Sequence, residues 1–340
     1  MHPARSGDAI QWYRVKIDRG RLKGLTAKDD AKGLVQALSI LLIIAATGAV
    51  VVLAFAYLPW WTLIPLLFLH GTVYAFLNPG VHELSHKTVF KTRWLNEVFV
   101  RIYSFLSWRN FQYFRASHQR HHLYTLHPPD DLEIELPMPY TWWDILSRTI
   151  VDPYGLVTIV GHHIRVASGR VKGQWEHILY DNDSDTHKRV VRWAWIMLIG
   201  HLANCALFFA LGLWIIPILT TFGIFYGGML RFFCNAAQHA GLADKVDDFR
   251  LNSRTFEAHP IVQYLYWQMN YHIEHHMYAA VPFHQLPILH REIRHSLPPV
   301  AQSLREVWKQ IFEINHRQKK DPDYVYYAPL PEPPEQGGGS

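Results

Sequence analysis

The sequence predicts an all-α integral membrane protein with four transmembrane helices in two hairpins and a cytoplasmic helical cap carrying clustered histidines. Three observations carry this reading: two long apolar regions, an uneven distribution of basic residues around them, and 22 histidines in 340 residues. The composition, 49% hydrophobic and 18% charged, excludes a disordered chain, which needs low hydrophobicity with high charge. The length admits one large domain or two ordinary ones.

Between 34 and 77 the chain is apolar apart from Gln36, His70, a few small or hydroxyl residues and the pair Pro59-Trp60. About 20 apolar residues cross a bilayer, so two spans are expected, about 35–58 and 60–77. A second apolar region from 190 to 233, broken near Gly212, gives spans of about 190–211 and 213–235 despite Arg192, His201, Asn204 and Arg231. A soluble protein with buried hairpins fits less well. Between 41 and 56 the only polar side chain is Thr47, and a soluble helix keeps a polar stripe. The first apolar run begins only at Leu34, too late for a cleaved signal peptide.

Arg14, Lys16, Arg19, Arg21, Lys23, Lys28 and Lys32 precede the first span, whereas the loops near Pro59 and Gly212 carry no charge. Basic residues stay cytoplasmic, which puts both termini and the segment 81–189 on that side. Basic flanks also suit an anionic lipid surface, and with no nucleic-acid motif present no nucleic-acid partner is expected. Segments 98–114 and 142–164 mix Trp, Tyr, Phe and Ile with Arg and Asp. They read equally as interfacial amphipathic helices or as helices packed within a cap. The expected organisation is a cytoplasmic segment 1–33, a membrane domain 34–290, and a C-terminal helix with a Pro- and Gly-rich tail over 291–340, disordered from 329 like a linker.

Cys205 and Cys234 both lie in apolar runs, which excludes a disulfide framework, Cys-rich zinc sites and protein-held iron–sulfur clusters. Any metal must be held by nitrogen and oxygen. His82-Glu83-Leu84-Ser85-His86 places two imidazoles at i, i+4 on one helix face. Alone, this HExxH string also reads as a zinc protease signature with Glu83 as general base. His118-Gln119-Arg120-His121-His122 and His272-Ile273-Glu274-His275-His276 both spell H-x-x-H-H, and Asn235 and His239 stand again at i, i+4. A metalloprotease needs two histidines and one further ligand for one zinc. Nine imidazoles, with Asn235 as a water-mediated ligand, suit two ions, and imidazole accepts iron, copper, zinc or nickel.

The three boxes, His82 with His86, His118 to His122, and His272 to His276, together with the run Met277 to His290 containing Val-Pro-Phe-His-Gln-Leu-Pro, resemble the membrane fatty acid desaturase superfamily. That superfamily also holds sphingolipid desaturases, alkane and carotenoid hydroxylases, and fatty acid decarboxylases that form terminal alkenes. The resemblance implies two iron ions in a non-haem di-iron centre built from His82, His86, His118, His121, His122, His239, His272, His275 and His276, with Asn235 binding through water. It implies O2 as co-substrate, a lipid or fatty acid substrate, and a place in a bacterial inner membrane. Three residues separate His82 from His86 where acyl-CoA desaturases have four, which points away from a CoA ester.

The reaction this implies is O2-dependent desaturation of a fatty acyl chain. Alkyl hydroxylation or oxidative decarboxylation on the same site are alternatives, and the zinc protease is a more remote one. Glu83, Glu274, Asp130, Asp131, Asp247 and Asp248 are candidates to orient imidazoles through their outer nitrogens. His162 and His163 read as interfacial, His284 and His290 as neighbours of the third box, and His70, His127, His177, His187, His201 and His259 as structural or exposed. No G-x-G-x-x-G fingerprint or fused haem motif is present, so an external ferredoxin, rubredoxin or cytochrome with its reductase is implied. Arg101, Arg109, Arg115 and Lys172 are expected to face such an acidic carrier. Trp94, Trp108, Phe111, Tyr264, Tyr266 and Trp267 are candidates to line a substrate tunnel, with core packing the commoner fate of any one of them.

Overall fold

The computed structural model describes residues 10–136, 138–181 and 183–332. After a short helix α1 (Arg19–Leu25), α2 (Asp30–Tyr57) opens at Asp29, whose carboxylate accepts the Ala31 and Lys32 backbone N–H groups. Its 28 residues extend about 42 Å at 1.5 Å per residue, enough to cross a bilayer. Gln36, Ala37, Ile40, Ile44, Gly48 and Val51 face the protein, while Val35, Leu42 and Leu53 are exposed. A helix apolar on both faces belongs in lipid.

A 3-10 turn (Trp60–Thr62) then leads to α3 (Leu63–Ala75) and α4 (Leu77–Ser85). The break at Phe76 falls where Pro79 has no N–H for the Ala75 carbonyl. The first histidine box thus rides on the final turns of a helical stretch that comes straight out of the apolar region.

Helices α5 (Arg93–Leu106) and α6 (Phe111–Tyr124) meet at a corner where Trp108 is buried with φ 53°. The stretch 98–114 is therefore two helices around a buried corner rather than one interfacial helix. Helices α7 (Trp142–Thr149) and α8 (Pro153–Ala167) leave Trp142, Trp143, Tyr154 and Val157 exposed, the apolar surface an interfacial helix presents. A short α9 (Gly173–Tyr180) precedes α10 (Ser184–Ala210), which starts at the Asp183 cap and ends before Gly212, φ 71°.

Among the described residues, three helical stretches are long and apolar enough to cross a membrane: Arg19–Tyr57, Trp60–Ser85 and Ser184–Ala210. The expected fourth span, 213–235, is not one helix. It comprises α11 (Ile215–Thr220), a 3-10 turn (Gly223–Phe225) and α12 (Met229–Ala236). Side chains from neighbouring elements satisfy the carbonyls this break releases. His70 Nε2 donates to Leu219 O at 3.0 Å, Tyr74 OH to Thr220 O at 2.5 Å, and the Trp108 indole to Thr221 O at 2.8 Å. Irregular backbone between apolar helices is tolerated where protein meets its polar groups. The chain here also lies directly against α3, since a Cβ on Gly71 would stand 2.2 Å from Tyr226 O. Gly71→Ala is expected to destabilise the protein by about 1–3 kcal/mol through overpacking, read as a lowered unfolding temperature in detergent. An unchanged value would show that this approach is not tight.

Four short helices follow, α13 (Phe249–Asn252), α14 (Pro260–Leu265), α15 (His272–Met277) and α16 (Leu286–Ile293), with α15, which carries the third box, packed against α13 and α16. Trp267 and Gln268, at φ 55° and 59°, turn the chain from α14 toward α15. Trp267, Tyr103, Tyr266 and Phe76 fill the core between them. The last helix, α17 (Leu304–Gln318), is tied to α12 by the Trp308 indole donating to Phe233 O at 3.0 Å. The tail expected to be disordered lies, from 333 onward, outside the described residues.

Candidate metal centre

Each histidine box has a stiff carrier: α4 holds His82, α6 holds His118, His121 and His122, and α15 holds His272, His275 and His276. His86 caps α4, and His239 sits on the turn after α12, so the helix carrying Asn235 ends before its i+4 partner. Their ligand atoms fall into two sets. His82, His86, His118, His122 and His275 form one, His121, His239 and His276 the other, with the atoms of each set within 4.8 Å of one another. His272 belongs beside the second set, its Nε2 2.9 Å from His239 Nε2 and 3.1 Å from His276 Nε2. His122 links the two, with Nε2 at 3.1 Å from His118 and 3.2 Å from His275 and its ring centroid 4.5 Å from that of His276.

The outer nitrogens show which atoms are free to bind. His118 Nδ1 donates to Glu133 Oε1 at 2.8 Å, His121 Nδ1 to Asp131 Oδ2 at 2.8 Å, and His239 Nδ1 to Asn252 O at 2.7 Å. His82 Nδ1 donates to Glu83 Oε1 at 3.1 Å, and His276 Nδ1 meets Thr125 Oγ1 at 3.3 Å. A neutral imidazole with its proton on Nδ1 keeps its lone pair on Nε2. Inward lone pairs at 2.9–3.2 Å repel one another unless a cation lies between them. Two nitrogens about 2.1 Å from one ion and at right angles stand about 3 Å apart. Among the described residues the buried Nε2 atoms of His82 and His86 have no hydrogen-bond partner. The donor set, its spacing and these orphaned atoms all fit bound metal.

Electrostatics agree. Burial pulls His86 down to about 4 and His239 to about 3, with His121 adding repulsion in both cases. Burial likewise holds His118, His122, His272, His275 and His276 well below the ordinary imidazole range, in the neutral form metals require. His121 differs. Burial is the largest single influence and opposes its charge, but the hydrogen bond it donates to fully buried Asp131, with the attraction of the Asp131 and Glu133 carboxylates, together outweigh burial and raise the ring.

Of the expected orienting carboxylates, Asp131 and Glu83 are in place, and Glu83 Oε1 also lies 3.8 Å from His275 Nδ1. Glu274 instead accepts from His290 Nδ1 and Thr255 Oγ1, bracing α15 against α16. Asp130 pairs with Arg120 and Asp248 with Arg250, while the Asp247 carbonyl accepts the Tyr13 N–H. Glu133 was missed by the sequence reading. Its position fifteen residues after His118, in a loop, follows no helical period, and only its carboxylate chemistry marked it.

Beside the imidazoles lies a cavity of about 170 Å³ whose lining includes Asn78, Arg109, Phe114, Glu133, Asn235 and Tyr266. Asn235 Oδ1 there accepts the Tyr266 hydroxyl at 3.2 Å. Of the aromatics expected beside the boxes only Tyr266 reaches this lining. Trp108, Phe111 and Trp267 are core and Trp94 is exposed. Arg109, expected on the carrier-facing surface, turns into the cavity because the Trp108 corner draws its backbone inward, whereas Arg101 and Arg115 both pair with Glu97.

The model of the fatty acid desaturase family matches residues 58–308, a stretch that contains every histidine of both sets. The chain belongs to the fatty acid desaturase family. With that family and its apolar helices it is a membrane oxidoreductase. No curated protein matches the chain in sequence.

Proposed function

We propose that the protein is an O2-dependent, non-haem di-iron desaturase of fatty acyl chains. The observation that carries this is the pair of buried imidazole sets whose Nε2 atoms converge, with no thiolate among them. In this reading His82, His86, His118, His122 and His275 hold one iron; His121, His239, His272 and His276 hold the other, with Asn235 reaching it through water. The iron pair, when bound, supplies the reduction of O2 and the oxidising power for an unactivated C–H bond. The chain's own residues fix that chemistry in space. Glu83, Glu133, Asp131 and the Asn252 carbonyl hold four rings by their outer nitrogens. Phe114, Ile134 and Met269 give the adjoining cavity an apolar wall that keeps water from the acyl chain. Electrons come from a separate ferredoxin, rubredoxin or cytochrome with its reductase, on the cytoplasmic face of a bacterial inner membrane.

Expression in a host lacking the activity, followed by mass spectrometry of lipids and volatiles, tests the reading. It predicts an acyl product two hydrogens poorer, formed only with O2. A hydroxylated or one-carbon-shortened product would reassign the reaction, and no oxidised product from iron-loaded protein with a donor would overturn it.

Because His121 alone among the ligands outside the spans is held above its ordinary range, it carries its proton at about pH 6 while the others are neutral. Loading metal-free protein with ferrous iron at that pH is expected to release about one proton per chain, measured calorimetrically in buffers of different ionisation enthalpy. Release of several protons, or none, would contradict this charge assignment.

A further inference from the structure

The cavity beside the imidazoles contains a positive charge that the di-iron chemistry leaves unused. Arg109 lies over the Phe114 ring, its guanidinium carbon 4.0 Å from the centroid, and Phe114 in turn stacks on His118 at 4.7 Å. The guanidinium is thus one aromatic ring away from a metal-site histidine. The carboxylate in the same lining, Glu133, is already committed, with Oε1 to His118 and Oε2 to Ser117. Among the described residues the Arg109 side chain has no ion pair and no hydrogen-bond acceptor. Arg231, one turn before Asn235 on α12 and outside this lining, has a buried Nε with no partner among the described residues and lies near enough to act on Arg109. Glu133 attracts Arg109 across the lining, but both its oxygens are taken by His118 and Ser117, so the guanidinium's hydrogen-bond donors are left for an incoming anion, which relieves the cost of burying that charge. The planar fork of arginine matches a carboxylate with two parallel hydrogen bonds.

Position and size narrow the ligand further. Asn78, Phe114 and Asn235 each stand one turn before a box histidine, His82, His118 and His239. The cavity therefore lies on the side of the imidazoles from which α4 emerges out of apolar α3. At about 30 Å³ per small group, 170 Å³ holds about six non-hydrogen atoms. That is room for a carboxylate and its first few methylenes, not for a whole acyl chain. Pro79, Phe114, Ile134 and Met269 offer those methylenes an apolar wall.

We propose that Arg109 seats the carboxylate of an unesterified long-chain fatty acid in this cavity, so that the substrate is bound head first as the free acid. The carbons brought beside the imidazoles are then those next to the carboxylate. The acyl chemistry rests on the function proposed above; the carboxylate seat rests on Arg109 and the cavity.

The test is equilibrium binding of radiolabelled palmitate and of methyl palmitate to the full-length protein in nanodiscs, at about pH 8 where the acid is ionised. Metal content is determined on the same samples. Palmitate is expected to bind about tenfold to a hundredfold tighter than its methyl ester. Arg109→Gln is expected to abolish that preference, and Arg109→Lys to keep part of it. Equal binding of acid and ester by the unmodified protein overturns the proposal, as does a preference that survives in Arg109→Gln. If Arg109→Gln does not fold, the acid-to-ester comparison on the unmodified protein decides alone. An acid preference in protein that holds no iron would leave the seat standing and sink the di-iron reading; two irons with no preference would do the reverse.

Discussion

Replacing His122 by alanine is expected to give a folded protein that has lost iron and at least about a hundredfold of its product formation. Loss of an outer-shell partner alone costs 10–100-fold in such sites, and His122 sits closer in, between the two sets. Its outer Nδ1 is buried with no hydrogen-bond partner among the described residues, so little besides an ion accounts for the ring's placement. In metal-free protein the same change removes a lone pair pressed against two others. The metal-free variant is therefore expected to unfold at no lower temperature than the metal-free parent, while the iron-loaded proteins differ widely. Iron analysis and thermal unfolding of both pairs check this. Retained iron and product would contradict the central place given to His122.

Asp131→Asn is expected to cost about 3–5 kcal/mol of stability, as breaking a buried ion pair does, and about 10–100-fold in iron affinity. Asp131 is fully buried and takes three donors: His121 Nδ1, Leu126 N and Glu133 N. An amide supplies one acceptor oxygen and an N–H group that opposes a donor. His121 then either loses its partner or moves its proton to Nε2, which removes the lone pair from the metal side. Burial, the largest single influence, would raise the Asp131 carboxyl, but the hydrogen bond and charge of His121 with the Glu133 and Leu126 backbone N–H groups together outweigh it and hold the carboxyl below its ordinary 3.8. The stabilisation is therefore intact at neutral pH and is lost only as pH falls below that value. Chemical unfolding at neutral pH, with iron content measured in parallel, checks both effects. Stability and iron equal to those of the parent would show the pair to be dispensable.

The histidine boxes were legible because helical spacing is local: His82 and His86, or His118 with His121 and His122, declare a shared face within five letters. Their convergence was legible only through the repetition of the pattern. What holds the rings was less so. Asp131 and Glu133 lie in a loop, the Asn252 carbonyl is backbone, and Thr125 differs in no way from any other threonine in the text. The fourth span failed as a continuous helix because hydropathy reports transfer into lipid and not the means of satisfying carbonyls. His70, Tyr74 and Trp108, distant in sequence, supply that, and Gly71 lets the broken segment come close enough. Arg109 was misplaced for a related reason, since a charged residue beside the amphipathic stretch reads as surface until the Trp108 corner turns it inward.

The measurement that bears most directly on the account is the metal content of the full-length protein purified in detergent, taken together with that of His272→Ala. About two irons per chain, lost or halved in the variant, is the predicted result. One zinc per chain, retained when His272 is removed, would contradict the di-iron centre and return His82, Glu83 and His86 to the reading of a zinc site.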